Sequence, residues 1–172
     1  MRLIIQTYLG SKTIDTCVKR YKELGYEPEI FIGKSIIEDN IPSNKICFIN
    51  MKDIFNSIDF DDDICMSQDD VYLNEKIQIE NKDKINWLGY WNITKDFIMG
   101  AMLIYYPKNL LQHVRNTFNN KKPFRLDRLI HNYFDFILRH EPITKEIPHC
   151  SLIYQEYTKG KKTIRSHKYM LK

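Results

Sequence analysis

Residues 64–73 constrain this chain more than any other stretch. A short apolar run, Ile64, Cys65 and Met66, passes through Ser67 and Gln68 into two adjacent carboxylates, Asp69 and Asp70. The chain returns at once to apolar character at Val71, Tyr72 and Leu73. An apolar strand that stops on paired acids sets them at the carboxyl edge of a sheet, where open α/β sheets collect their ligands. Hard divalent cations take oxygen ligands, so such a pair suits a cation bridging to a phosphate. An acidic turn exposed to solvent is the alternative, and Asp61, Asp62 and Asp63 just upstream form a second acidic run. The later pair differs in context, because it closes a strand-length apolar run, after Ser67 and Gln68, and is followed at once by Val71, which favours a site.

The surrounding pattern predicts an α/β fold. Residues 3–7 form an apolar strand, and Ile14, Cys17, Val18, Tyr21 and Leu24 recur at helical spacing up to Gly25. Residues 29–33 and 45–49 read as short strands separated by a polar loop that contains Pro42, and residues 51–58 read as a short helix. Alternation of this kind predicts a mainly parallel central sheet flanked by helices. Residues 77–80 and 87–93 are short and aromatic, and residues 97–106 read as one buried strand. Pro107 fits the first turn of a helix reaching about Thr117, with Leu110, Leu111 and Val114 inward. Leu126, Leu129, Ile130, Tyr133, Phe134 and Ile137 predict a further helix from residue 126 to about 139.

At 172 residues the chain suits one domain with a real core. We divide it into a domain at residues 1–158 and a basic C-terminal tail at 159–172. That tail carries six Lys and Arg residues plus His167 and no carboxylate. A hydrophobic fraction of 43% with 28% charged residues argues against a disordered or fibrous class. No apolar run approaches the roughly 18 to 20 residues of a membrane span, and the apolar start is too short for a signal peptide. A soluble, cytoplasmic protein is therefore expected, in the host cytoplasm if the source is viral. Cys17, Cys47, Cys65 and Cys150 form no CxxC pair and sit among apolar neighbours, so they read as reduced core residues. The heavy use of Lys, Ile and Asn fits an AT-rich genome such as that of a phage, a large virus or a low-GC bacterium.

The segment Gln68, Asp69, Asp70, Val71 resembles the metal-binding DxD or EDD motif of glycosyltransferases with the GT-A fold, especially small phage and bacterial ones related to lipooligosaccharide glycosyltransferases. Three later segments follow in the family's order. Gly100, Ala101 and residues 103–107 are similar to its glycine-containing acceptor-side strand. Asp127, after Phe124, Arg125 and Leu126, opens a helix as the family's acceptor-side carboxylate does. Residues 148–155 resemble its C-terminal strand. The resemblance spans roughly residues 1–167.

It implies a nucleotide-sugar donor, most simply a UDP-sugar, and Mn2+ or Mg2+ as cofactor. Gln68 stands where the motif's first acid would be, so the metal rests mainly on Asp70, with Asp69 nearer the ribose or donor sugar. Gln155 falls where a ligating His is often found, which leaves His149 and His167 as alternative third ligands. Asp127 would act as general base on the acceptor hydroxyl, implying inversion; an Asp there also serves as a helix cap. Thr7, Tyr8 and Leu9 would face the nucleotide base, with Tyr8 placed to stack on it.

Trp87, Tyr90 and Trp91 surround Gly89 and suit either a sugar or base face or an aromatic core, and Gly100 would lie on the same acceptor side. Lys162, Arg165 and their basic neighbours could hold donor phosphates or an acidic polymer. A net charge of +4 permits nucleic acid without requiring it. The acceptor is therefore expected to be a hydroxylated base in phage DNA, or else a cell-surface glycan or protein. Two readings from other classes remain open. One is a metal-dependent nuclease or phosphotransferase built on Asp69, Asp70 and Asp127. The other is a binding module for nucleic acid that uses the tail and the aromatic patch.

Overall fold

The computed structural model describes residues 1–34, 39–89, 92–93, 98–99, 103–123, 139–140, 150–155 and 162–166. Strand β1 (Arg2–Tyr8) leads to helix α1 (Ile14–Glu23), then strand β2 (Glu29–Gly33) and helix α2 (Ser43–Ser57). Strand β3 (Ile64–Gln68) runs through the acidic turn into β4 (Val71–Leu73) and β5 (Ile85–Gly89). Two-residue strands β6 (Asn92–Ile93) and β7 (Ile98–Met99) precede β8 (Leu103–Tyr106). A 3-10 turn (Lys108–Leu110) opens helix α3 (Leu111–Asn120). The remaining strands are β9 (Arg139–His140), β10 (Cys150–Gln155) and β11 (Lys162–Ser166).

The main sheet has the order β2-β1-β3-β8-β5-β9. Its β2-β1-β3 half is parallel, as crossover helices require, but β8 joins β3 and β5 antiparallel. The sheet is therefore mixed: β2-β1, β1-β3 and β5-β9 pair parallel, and the two pairings that β8 makes are antiparallel. Helical periodicity carries no information on the direction in which a later strand enters, and β8 enters reversed. A second sheet, β11-β10-β4, is antiparallel, and β6 pairs with β7 in a ribbon. Of the run at 97–106, residues 98–99 pair with β6 and residues 103–106 with the main sheet, and residues 97 and 100–102 lie outside the described residues.

Both faces of the sheet are covered, which is why its central strands read as continuous apolar runs rather than alternating ones. On one face Ile4, Ile64, Met66, Ile104 and Tyr106 pack against α2 and α3 through Phe48, Met51, Ile54, Phe55, Leu111, Val114 and Phe118. On the other, Leu3, Ile5, Cys65, Leu103 and Tyr105 meet Cys17 and Tyr21 of α1 and Val71 and Leu73 of β4. Helix α1 stops where expected, with Gly25 at φ +85° just beyond its end.

The strand expected at 45–49 is instead the opening of α2. Ile46, Phe48 and Asn50 are buried in alternation, which mimics a strand locally. The alternation arises because two sides of the helix are engaged. Phe48 joins the stripe with Met51 and Phe55, while Asn50 turns away and binds the backbone N–H and C=O of Lys34 at 2.9 and 3.0 Å. Cys17 and Cys65 are buried and Cys47 is half-buried, and none of them is in a disulfide among the described residues. No helix among the described residues is long and apolar enough to cross a membrane. The helix expected at 126–139 lies outside the described residues, apart from Arg139, which is in β9.

Tyr106 is fully buried edge-on to Phe55, with ring centroids 5.1 Å apart. Its hydroxyl has no partner among the described residues, and burial pushes its ionisation upward. A sealed hydroxyl without a partner costs roughly 1–3 kcal/mol. Tyr106→Phe keeps the ring and removes that cost, so scanning calorimetry should show a melting temperature raised by several degrees.

Candidate active site

The acidic turn is shaped by what precedes it. Strand β3 is held between β1 and β8, with Gln6 opposite Gln68, so its last residue reaches the carboxyl edge of the parallel half. Asp69 and Asp70 follow there, and β4 turns back over the α1 face. Thr7, almost fully buried at the end of β1, donates its hydroxyl to Asp69 Oδ2 at 2.8 Å. Thr7 thus orients Asp69.

Asp70 differs from its neighbour. The residue as a whole is only partly covered, but its Oδ1 is sealed from solvent and has no hydrogen-bond partner among the described residues. Burial first, and the adjacent Asp69 charge second, push its carboxyl up from 3.8 to about 7. Two of the three upstream acids are already engaged. Asp62 pairs with the N-terminal ammonium, and Asp63 accepts from the Lys108 N–H at 2.8 Å. The sequence contains two acidic runs, and only the second leaves a buried carboxylate oxygen without a donor.

This disposition fits a hard cation. A buried oxygen with no donor, next to a second carboxylate fixed by Thr7, offers the ligands that Mg2+ or Mn2+ prefers. Among the described residues, no cluster of three His, Cys, Asp or Glu side chains could complete a cage. A two-carboxylate site whose other ligands are substrate phosphate and water has that character.

The rest of the expected site divides three ways. Tyr8 is 41% exposed beside Thr7, and the next residue, Leu9, is 67% exposed. The Ser11 N–H bonds to the Tyr8 carbonyl at 3.1 Å across a turn with Gly10 at φ +84°, a conformation that glycine adopts freely. Gln68 turns its amide toward Cys47 of α2, Nε2 to Sγ 3.6 Å, away from the α1 side. Trp87 is a correction: it is 3% exposed and packs in the α2–α3 core, so it is no part of an acceptor surface. Two Trp residues flanking a Gly looked like a surface loop, but Trp87 falls on an inward position of β5.

Lys162 and Arg165 belong to β11, where Gln155 lies opposite Lys162 and Leu152 lies opposite Arg165. Leu152 in turn pairs with Val71, so backbone register links Arg165 through β10 to the residue after Asp70. Tyr90, Trp91, Gly100, Asp127, His149 and His167 lie outside the described residues.

The sequence reading missed the role of α1. Cys17, taken as a plain core cysteine, places its Sγ 2.8 Å from the Asp69 carbonyl and 3.1 Å from that of Val71. Arg20 Nε and Nη2 donate to the carbonyls of Leu73 and Asn74 at 2.7 and 2.8 Å. The helical stripe announced that Cys17 and Tyr21 face inward; nothing in one dimension announced what they meet.

No protein-family model matches the chain, and no curated protein matches it in sequence. Among solved structures, it is similar in fold to a glycosyltransferase involved in the glycosylation of the major capsid of PBCV-1. The two share 14% identity over 81% of each chain, with a TM-score of 0.51. The chain has an α/β fold of the kind that this glycosyltransferase adopts.

The Asp70 carboxyl makes a pH dependence. Its value is raised on folding, so the native state holds a proton that the unfolded chain has released between about pH 4 and 7. Stability of the chelator-treated protein should therefore be full, as far as this group is concerned, below about 4. It should then fall by up to about 1.4 kcal/mol per pH unit toward 7 and level off above. Melting temperatures measured from pH 4.5 to 8 in chelator check this, and Asp70→Asn should flatten the slope.

Proposed function

We propose that this protein is a glycosyltransferase that transfers a sugar from a nucleotide sugar, most simply a UDP-sugar, with Mn2+ or Mg2+ held by Asp70 and Asp69. One observation carries the reading: the buried Asp70 Oδ1, without a donor among the described residues, at the carboxyl edge of a sheet whose fold resembles that of a known glycosyltransferase. A cation bound there would neutralise the departing diphosphate. Thr7 keeps Asp69 in one orientation, and the exposed Tyr8 ring beside it offers a stacking face for the nucleotide base. Lys162 and Arg165 would supply charge to the donor phosphates.

Asp127 is the proposed general base, taking the proton of the acceptor hydroxyl as its oxygen attacks the anomeric carbon from the side opposite the diphosphate. That attack inverts configuration. Either His149 or His167 is the proposed third ligand, and Tyr90, Trp91 and Gly100 are the proposed acceptor contacts.

For the acceptor, a hydroxyl on a glycan or protein is favoured over a base in DNA. Trp87 is withdrawn into the core, which removes one of the aromatic residues that would suit a base face. The similar structure is itself described as acting in capsid glycosylation.

The test is thermal stabilisation by a panel of nucleotides and nucleotide sugars, each with Mn2+ and with chelator, since a ligand of the native state raises its melting temperature. A shift that needs both metal and one donor is expected. Asp127→Asn should keep that shift but lower transfer by roughly 100-fold or more, the ordinary worth of a positioned base. A shift with DNA and none with any donor would replace this reading with the nuclease or binding-module one.

A further inference from the structure

Helix α1 and the acidic turn are joined by an unusual concentration of side chain to backbone bonds. Besides the contacts of Cys17 and Arg20, the Tyr21 hydroxyl lies 2.6 Å from Ser67 Oγ, which in turn donates to the Gln68 carbonyl at 3.0 Å. Carbonyls on residues 68, 69, 71, 73 and 74 are therefore gripped from one helix, directly or through Ser67. Arg20 also lies over the Tyr72 ring, 5.1 Å from its centroid. Asp70 sits between the two carbonyls that share the Cys17 thiol proton.

We propose that Cys17 is a positioning residue for Asp70. By holding the carbonyls of Asp69 and Val71 on either side, its thiol sets the direction in which the Asp70 carboxylate points. Tyr21, acting through Ser67, fixes the approach to the turn from β3. The thiol never touches substrate; it determines how well the turn fits a cation. Turns between strands ordinarily keep some freedom, and a carboxylate that must meet an ion in fixed geometry gains affinity when that freedom is removed beforehand. Here the bracing comes from α1, which is anchored by burial of Cys17 and Tyr21 against the sheet. The inference rests on the reading of Asp70 as a cation ligand.

The experiment is a Mn2+ titration with UDP, read as melting temperature, on the wild-type protein, Cys17→Ala and Cys17→Ser. Wild type should show a saturable Mn2+-dependent rise. Cys17→Ala should raise the Mn2+ concentration at half-effect about tenfold, the equivalent of one lost hydrogen bond of ordinary net worth. Cys17→Ser, which restores a donor of similar size, should recover most of it. In steady-state transfer, the same loss should fall on KM for the donor more than on kcat. A lower melting temperature in chelator with an unmoved Mn2+ midpoint would show Cys17 to be packing only and overturn the inference, leaving the proposed function intact. No Mn2+ response in wild type would remove the cation site itself and the inference with it. Should Cys17→Ala not fold, Cys17→Val carries the test: it refills the volume without a donor, and an unchanged midpoint there overturns the inference equally.

Discussion

Asp70→Asn is expected to leave a folded protein that no longer responds to Mn2+ and transfers sugar at least about 100-fold more slowly. Metal stabilisation of transition-state charge is worth several kcal/mol, and each 1.4 kcal/mol or so is tenfold in rate. The substitution nearly preserves shape, so the loss cannot be assigned to a cavity. It also abolishes the ionisation of a buried carboxyl that stands at about 7. In chelator at pH 8, the variant should therefore melt no lower than wild type, and the pH slope of stability should vanish. Loss of metal response together with unimpaired apo stability is the signature of a ligand. A variant that melts far lower in chelator would instead mark Asp70 as structural. Donor affinity unchanged by the substitution would remove the metal assignment altogether.

The second large effect lies in the core. Phe55 is fully buried, with ring centroids 5.1 Å from Tyr106 and 5.4 Å from Phe118. It joins α2, α3 and β8 at one point. Phe55→Ala should cost about 3–5 kcal/mol, from lost transfer energy and the cavity left between two helices and the sheet. Domains of ordinary stability have about 5–15 kcal/mol in total, so the melting temperature should drop by roughly 10 °C and expression at 37 °C should suffer. Denaturant unfolding followed by tryptophan fluorescence is a direct check, because Trp87 lies in the same cluster. Phe55→Leu should recover much of the loss by refilling most of the volume. An effect below about 1 kcal/mol for the alanine variant would mean that the α2–α3 layer does not close as described.

These two residues also separate what was legible in one dimension from what was not. The helical stripe of α1, its stop at Gly25, the β3 run and the pairing of Asp69 with Asp70 depend on near neighbours in the chain, so periodicity and residue type sufficed to find them. The same holds for Pro107 ahead of α3. The strand expected at 45–49 went wrong because five residues are too few to tell a period of two from a helix engaged on two sides. Trp87 went wrong because an aromatic flanked by Gly has the same composition in a surface loop and in a buried strand.

Apart from the strand expected at 45–49, local pattern in the chain was enough to set the alternation of strands and helices over the first 70 residues, and with it the place where two carboxylates meet a sheet edge. Three things came only from the packing of the layers: that β8 enters antiparallel, that Asp62 and Asp63 are engaged by the N-terminus and Lys108, and that α1 grips the turn holding Asp70. Cys17 and Asp69 are separated by 52 residues, and Thr7 and Asp69 by 62. Contacts at such separations follow from how the layers pack, and no local pattern in the chain encodes which carboxylate is left without a donor.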